Sequence, residues 1–258
     1  METATQHITT NIDPSLQTPV IVIEHVCKRF GDNVVLNDFG MTVKKGENVV
    51  VLGRSGVGKS VLIKCIVGLL KADSGNITVL DKDITSLDHD EMDKMRARVG
   101  FLFQSNALYD SMTVRKNLEF PLRRHWIEST RDQIDAMVQE ALENVGLAHT
   151  IDMMPEELSG GMKKRVALAR TLILKPEIIL YDEPTTGLDP VTGKEISMLI
   201  VELQAKYRTS SIIISHDMHC VKLTASKIVL LMDGKNYCSG TYEALSRSSD
   251  PAVKQFFE

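Results

Sequence analysis

Four consecutive apolar residues, Val49–Leu52, run directly into Gly53-Arg54-Ser55-Gly56-Val57-Gly58-Lys59-Ser60 and on into an apolar stretch ending at Leu70. This order constrains the fold more than any other feature of the chain. Glycines at 53, 56 and 58 let the backbone curl closely around an anion without Cβ collisions. The loop amides, with the positive end of a helix predicted over Ser60–Leu70, then point at that anion. The strand must stop where this cup begins. Buried parallel strands with functional groups at their carboxyl ends are the architecture that meets this demand, so the prediction is an α/β core.

Further segments fit such a core. "PEIILYDEP" and "SSIIISHD" are short, continuous apolar runs ending in acidic or histidine residues, as strands covered on both faces by helices do. "RVGFLF" predicts another strand, ending at Phe103. Upstream, "VIVIEHV" (Val20–Val26) and "VVLNDFGMTV" are β-branched or alternating, and predict a small antiparallel sheet. Between Gln104 and about Arg165 the character changes. Ile134, Met137, Val138, Ala141, Leu142 and Val145 recur there at helical spacing with charges opposite, which predicts an inserted helical subdomain over about 104–165. The tail, about 226–258, reads as a hairpin turning at Asp233-Gly234 followed by one short helix. Residues 1–19 read as a polar tail ahead of a single domain, 20–258.

Composition excludes several classes. With 43% apolar residues in 258, the chain has ample material for a core. A net charge of -4 gives no basic footprint, so no nucleic-acid partner is expected. Cys27, Cys65, Cys220 and Cys238 are scattered, which argues against a disulfide framework or a zinc site. No window reaches the roughly 18 consecutive apolar residues of a membrane span. The start, "METATQHITTNIDPSLQTP", lacks the basic and apolar regions of a signal peptide. A soluble, cytoplasmic chain is expected.

The chemistry is carried by spaced motifs. In the phosphate loop, Lys59 is suited to reach the β- and γ-phosphates of a nucleotide, and the Ser60 hydroxyl to ligate Mg²⁺. Asp182, at the end of "IILYD", suits the Mg²⁺ shell, while Glu183 beside it is placed to orient or deprotonate a water. "LSGG" at Leu158–Gly161 sets a serine and two glycines at a helix start, which makes a second anion cup.

Together with "LSGGMKKRVALARTLILKP" (Leu158–Pro176), these motifs resemble those of the ABC ATPases, over about Val20 to Gly240. The resemblance implies a P-loop NTPase with a RecA-like core, an antiparallel β subdomain and an inserted helical ABC subdomain. It implies ATP and Mg²⁺ as cofactors, and a homodimer packed head to tail. Each nucleotide would lie between Gly53, Arg54, Ser55, Gly56, Val57, Gly58, Lys59, Ser60 and Val61 of one chain and Ser159, Gly160 and Gly161 of the other. A closed two-fold dimer satisfies that arrangement. The remaining family motifs fall in order. Phe30 matches the aromatic that stacks on adenine, and Gln104 the glutamine that senses Mg²⁺ and hinges the helical subdomain. Asp189, in "TGLDP", faces the partner chain, and His216, in "IIISHD", contacts the γ-phosphate.

Two positions depart from the common family wording. Val61 follows Ser60 where a hydroxyl residue is usual, so one α-phosphate contact is lost and weakened rather than abolished binding is expected. Met162 ends the signature where glutamine is common. Both variants resemble the Mla-type and MCE-associated phospholipid transporter ATPases, as do "GKSVL", "FQSNALYDSMTVRKNLEFPL", "ELSGGM" and "DPAVKQF". That resemblance implies integral membrane permease subunits, an MCE-domain lipid-binding protein, and a peripheral place on the cytoplasmic face of the inner membrane. Its strongest part is Ser105–Leu122, where Leu108, Tyr109, Met112 and Leu118 are candidates for the permease docking groove.

Overall fold

The phosphate loop leaves the middle of a six-stranded sheet. The structure, a computed structural model, describes residues 18–124 and 129–258, so the expected polar tail lies, up to residue 17, outside the described residues. The chain opens with β1 (Pro19–Phe30) and β2 (Asn33–Lys44), a long antiparallel pair. It continues through β3 (Asn48–Leu52), α1 (Lys59–Ile66), β4 (Ser74–Val79), β5 (Lys82–Asp83), α2 (His89–Ala97) and β6 (Val99–Leu102). Helices α3 (Val114–Arg124), α4 (Arg131–Glu143) and α5 (Gly160–Leu172) follow. The chain then returns through β7 (Ile178–Asp182), α6 (Pro190–Tyr207), β8 (Ser210–Ile214), α7 (Met218–Thr224), β9 (Lys227–Met232) and β10 (Lys235–Gly240). It closes with α8 (Tyr242–Ser246) and α9 (Pro251–Lys254).

Two sheets result. One, ordered β2-β1-β4-β5, is antiparallel. The other, ordered β10-β9-β3-β8-β7-β6, is parallel except for its β10 edge. All residues of β3, β7 and β8 are buried, which explains the apolar runs Val49–Leu52, Ile178–Tyr181 and Ile212–Ile214 within them. Their side chains alternate between two cores. Val49, Val51, Leu180 and Ile212 face the antiparallel sheet with Ile21 and Phe39, while Val50, Leu52, Tyr181 and Ile213 face the helices with Val166 and Ile200. Each fully buried Val, Leu or Ile contributes about 1.5–3 kcal/mol relative to exposure, so this two-sided burial holds the central strands in place. The sheets are joined where Asn37 N donates to Gly234 O and Asn236 Nδ2 to Gly40 O, both at 2.9 Å.

Several boundaries differ from the sequence expectation. α1 ends at Ile66 rather than Leu70, because Gly68 takes a left-handed φ of +67° and closes the helix. β6 ends at Leu102, one residue early. The polar stretch 74–97 holds β4, β5 and α2, none of them anticipated. In α2 only Met95 is buried, so no apolar stripe marks it; a capping box between Asp88 and Glu91 starts it instead. The expected single terminal helix is two, α8 and α9, because Asp250 caps a fresh start at Pro251.

Candidate active site

Three adjacent strands deliver the reactive side chains to one edge. β3 ends at Leu52 and passes into the glycine loop, β7 ends at Asp182, and β8 ends two residues before His216. Val51 pairs with Ile214, which pairs with Asp182, so the three carboxyl ends lie side by side. The loop between β3 and α1 requires glycine at two places. Gly58 sits at φ +109°, and a Cβ there would stand 2.5 Å from Val35 Cγ1. A Cβ on Gly53 would come within 2.7 Å of the Leu231 carbonyl oxygen.

Lys59 turns back over its own loop. Its Nζ donates to Gly53 O at 2.8 Å and Arg54 O at 3.0 Å, and lies 4.0 Å from Glu183 Oε1. Burial holds this ammonium below the ordinary lysine value, and the Glu183 and Asp182 charges counteract part of that. Ser60 Oγ donates to Asp182 Oδ1 at 3.0 Å. Burial pushes the Asp182 carboxyl upward, and the Ser60 bond opposes it.

Glu183 occupies a left-handed backbone position, φ +52°, which costs about 1–3 kcal/mol for a residue of this kind. The strain is held by its N–H, which donates to Ile214 O at 3.0 Å. Its Oε2 lies 2.8 Å from His216 Nδ1 and accepts from Thr186 Oγ1 at 3.2 Å. The carboxylate is 12% exposed with two polar groups against it, while the His216 side chain is 65% exposed.

These groups line a cleft of about 360 Å³. Ser55, Gly56, Gly58, Lys59, Ser60 and Val61 form its floor, Phe30 and Val35 one wall, and Gln104, Glu183 and His216 the other. Phe30 is 48% exposed, with the Lys28 ammonium 5.4 Å from its ring centroid and Lys28 anchored on Asp73 at 2.8 Å. One broad face of an aromatic ring is thereby offered to the cleft. Of the other loop residues, Gly53 and Arg54 line a neighbouring hollow, where Arg54 Nη2 donates to Gln255 Oε1. Val57 packs on the core beneath.

Ser159, Gly160, Gly161 and Asp189 are not part of this cleft. They line a second concavity of about 400 Å³, with Thr192 and Arg165. Ser159 Oγ accepts from Met162 N at 3.2 Å at the start of α5, and Asp189 Oδ1 accepts from Val191 N and Thr192 N at the start of α6. Thr192 Oγ1 also donates to Asp189, whose carboxyl is held below the ordinary value by these bonds. Two helix starts therefore present polar groups on a surface that shares no lining residue with the cleft.

Four functional contacts lie outside the motif reading. Thr186 bonds Glu183, and Thr185 Oγ1 donates to Asp217 Oδ2 at 2.9 Å, which ties the loop after β7 to the loop after β8. The position of Asp217, directly after His216 and before a helix, is a readable cap signal. Lys164 is buried with its Nζ donating to Gln104 O at 3.0 Å, and burial pulls it down to about 8 against the pull of Asp182. Phe120 is exposed with its ring 4.8 Å from that of Tyr109. The docking expectation needs one correction: Leu118 is wholly buried on the inner face of α3 and cannot face a partner. Tyr109 is exposed, and Leu108 packs partly on the core.

The donor set fits Mg²⁺ and a nucleotide. Ser60 and Asp182 are hard oxygen donors, and Mg²⁺ is commonly held by one or two carboxylates completed by phosphate oxygens. A cradle that a Cβ would fill, an ammonium over it and an exposed aromatic ring suit a nucleoside triphosphate. The comparisons agree. The family model described as "ABC transporter" matches residues 36–186. The intermembrane phospholipid transport system ATP-binding protein MlaF of Haemophilus influenzae is 38% identical over 239 residues, 93% of this chain and 90% of that one. The methionine import ATP-binding protein MetN of Campylobacter jejuni is 36% identical over 252 residues, 92% of this chain and 75% of that one. A solved dimeric ATP-binding cassette in a post-hydrolysis state, bound to ADP and Pi, superposes with a TM-score of 0.77 at 30% identity, covering 86% of this chain and 98% of that one. With its Mg²⁺-dependent, ATP-hydrolysing machinery in place, the chain belongs to the ABC transporter family.

Proposed function

We propose that this chain energises a separate membrane permease that moves phospholipid, by closing as a head-to-tail homodimer around two ATP molecules. One observation carries the dimer: the cup of Ser159, Gly160 and Gly161 lies apart from the cleft of Lys59 in the same chain. A cup set apart from its own chain's cleft is suited to another chain's nucleotide, and a two-fold axis lets both chains do this at once. The solved cassette with ADP and Pi is dimeric, which supports the same reading.

Within each cleft the residues take distinct roles. Lys59 leaves the Gly53 and Arg54 carbonyls for the γ-phosphate, and Phe30 stacks on adenine. Ser60, Asp182 and Gln104 would hold Mg²⁺, which when bound neutralises charge on the β- and γ-phosphate oxygens. Glu183 accepts a proton from the attacking water, and His216 swings from Glu183 toward the γ-phosphate. Loss of the phosphate lets the dimer open.

The permease is a separate chain in this reading, and no helix among the described residues is long and apolar enough to cross a membrane. The exposed pair Tyr109 and Phe120 gives the permease an aromatic foothold, at the cytoplasmic face of the inner membrane. The phospholipid assignment rests on the similarity to MlaF and on the wording of Ser105–Leu122, and implies an MCE-domain lipid-binding protein in the complex. A second reading, an amino-acid importer, is favoured by the similarity to MetN. Affinity purification of the tagged chain from membranes separates them. An integral membrane protein accompanied by an MCE-domain protein and bound phospholipid is expected; a permease with a methionine-binding partner would overturn the lipid reading.

A further inference from the structure

Helix α5, which begins at the Ser159 cup, turns two of its cations inward onto a single loop. Lys164 is 1% exposed and donates to Gln104 O at 3.0 Å. Six residues later along the helix, Arg170 donates to Asn106 O at 2.9 Å and to Ala107 O at 2.8 Å. Three of the four carbonyls from Gln104 to Ala107 are therefore taken by charged donors from one helix. Asn106 and Ala107 both sit at positive φ, +64° and +51°, so the loop is held in a shape that its residues do not favour on their own.

The use of an ammonium at position 164 is the informative point. A buried charge is expensive unless it is paired or hydrogen-bonded, and a side chain such as methionine would fill the same space without that cost. Gln104 is exposed as a residue, and its carbonyl is the group drawn inward onto Lys164. A charged donor is therefore an expensive way to fill this space, and what it adds over an apolar side chain is a fixed place for the Gln104 main chain. Charge-assisted hydrogen bonds are about twice as strong as neutral ones and hold position accordingly.

We propose that Lys164 is a positioning residue for Gln104: from its buried place five residues beyond Ser159, it holds the Gln104 main chain so that the serine–glycine cup and the glutamine shift as one piece. This rests on the reading in which the cup faces the partner's nucleotide and Gln104 faces this chain's own. Closure of the cup on one nucleotide then carries Gln104 against the other, and the two sites of a dimer fire in step. Arg170 secures the outer half of the same loop, beside Tyr109.

The test compares Lys164→Met and Lys164→Arg in the full chain, with Ser159→Glu as a control. Lys164→Met removes the donor while keeping length and apolar bulk. Its affinity for a fluorescent ATP analogue should stay within about twofold of wild type, since the phosphate cup is untouched. Its kcat should fall about tenfold and its half-saturating Mg²⁺ concentration rise, because a displaced positioning group acts on the chemical step. Its unfolding midpoint should be unchanged or higher. Lys164→Arg, which keeps a charged donor, should recover more than half of the lost kcat. Wild-type kcat and Mg²⁺ dependence in Lys164→Met would overturn the coupling, as would equal losses in both variants accompanied by lowered unfolding midpoints. Full turnover in Ser159→Glu, which places a negative charge in the cup, would instead overturn the shared-nucleotide reading beneath it.

Discussion

Replacing Glu183 with glutamine should separate nucleotide binding from hydrolysis. The substitution Glu183→Gln is isosteric, so the contacts of Oε2 with His216 and Thr186, at 2.8 and 3.2 Å, have a partner in the new amide. What is lost is the proton acceptor of the mechanism proposed above. A positioned general base contributes about 10²–10⁴-fold, so turnover should fall by that factor, equivalent to roughly 3–5 kcal/mol in the barrier. Binding should move the other way. In the free chain the Lys59 ammonium lies 4.0 Å from the Glu183 carboxylate. At that separation, and an effective dielectric near 20, the attraction is roughly 4 kcal/mol, and an incoming γ-phosphate competes with it. Neutralising Glu183 removes this competitor, so ATP should bind at least as tightly. The assays are phosphate release from Mg·ATP and size-exclusion chromatography in ATP, where a long-lived dimer should accumulate. Phosphate release within about twofold of wild type would remove Glu183 from the base role, and a large loss of ATP affinity would refute the competition between carboxylate and phosphate.

Three further outcomes are expected. The Tyr181 hydroxyl is fully buried with no hydrogen-bond partner among the described residues, so Tyr181→Phe should leave stability unchanged or raise it by about 1–3 kcal/mol in denaturant titration; a loss of that size would show a hidden partner. Leu118→Ala should lower unfolding free energy by about 2–5 kcal/mol, since Leu118 is wholly buried, and a near-neutral result would restore it as a docking candidate. Asp73 is held below the ordinary carboxylate value, first by the Lys28 side chain and then by Arg29 N. A depressed carboxyl contributes stability above its unfolded value and loses it as pH falls through the folded one. The stability gap between wild type and Asp73→Asn should therefore be present at neutral pH and close on acidification below about pH 4; a gap that persists in strong acid would contradict this.

Much of this design is legible in the residues, for physical reasons. β3, β7 and β8 are buried on both faces, so their sequences carry no polar alternation to confuse the reading. The glycine loop is legible because Gly53 and Gly58 meet steric limits that no other residue satisfies. Helix α2 is not, because a helix with a single buried residue has no wide apolar stripe, and only its Asp88–Glu91 capping box betrays it. Leu118 and Phe120 illustrate a different limit. Both are large apolar residues on α3, and only the packing of α4 and α5 decides that one is core and the other surface. Lys164 is hidden for the same reason: within "MKKRV" its charge reads as solvated, and tertiary structure alone turns it inward.

The Glu183 amide closes a rung on Ile214, the last residue of a wholly buried strand. The backbone that carries the carboxylate is therefore tied directly to the buried centre of the sheet. In the proposed closing dimer the sheet is then the anvil, and the stroke falls to the opposite jaw.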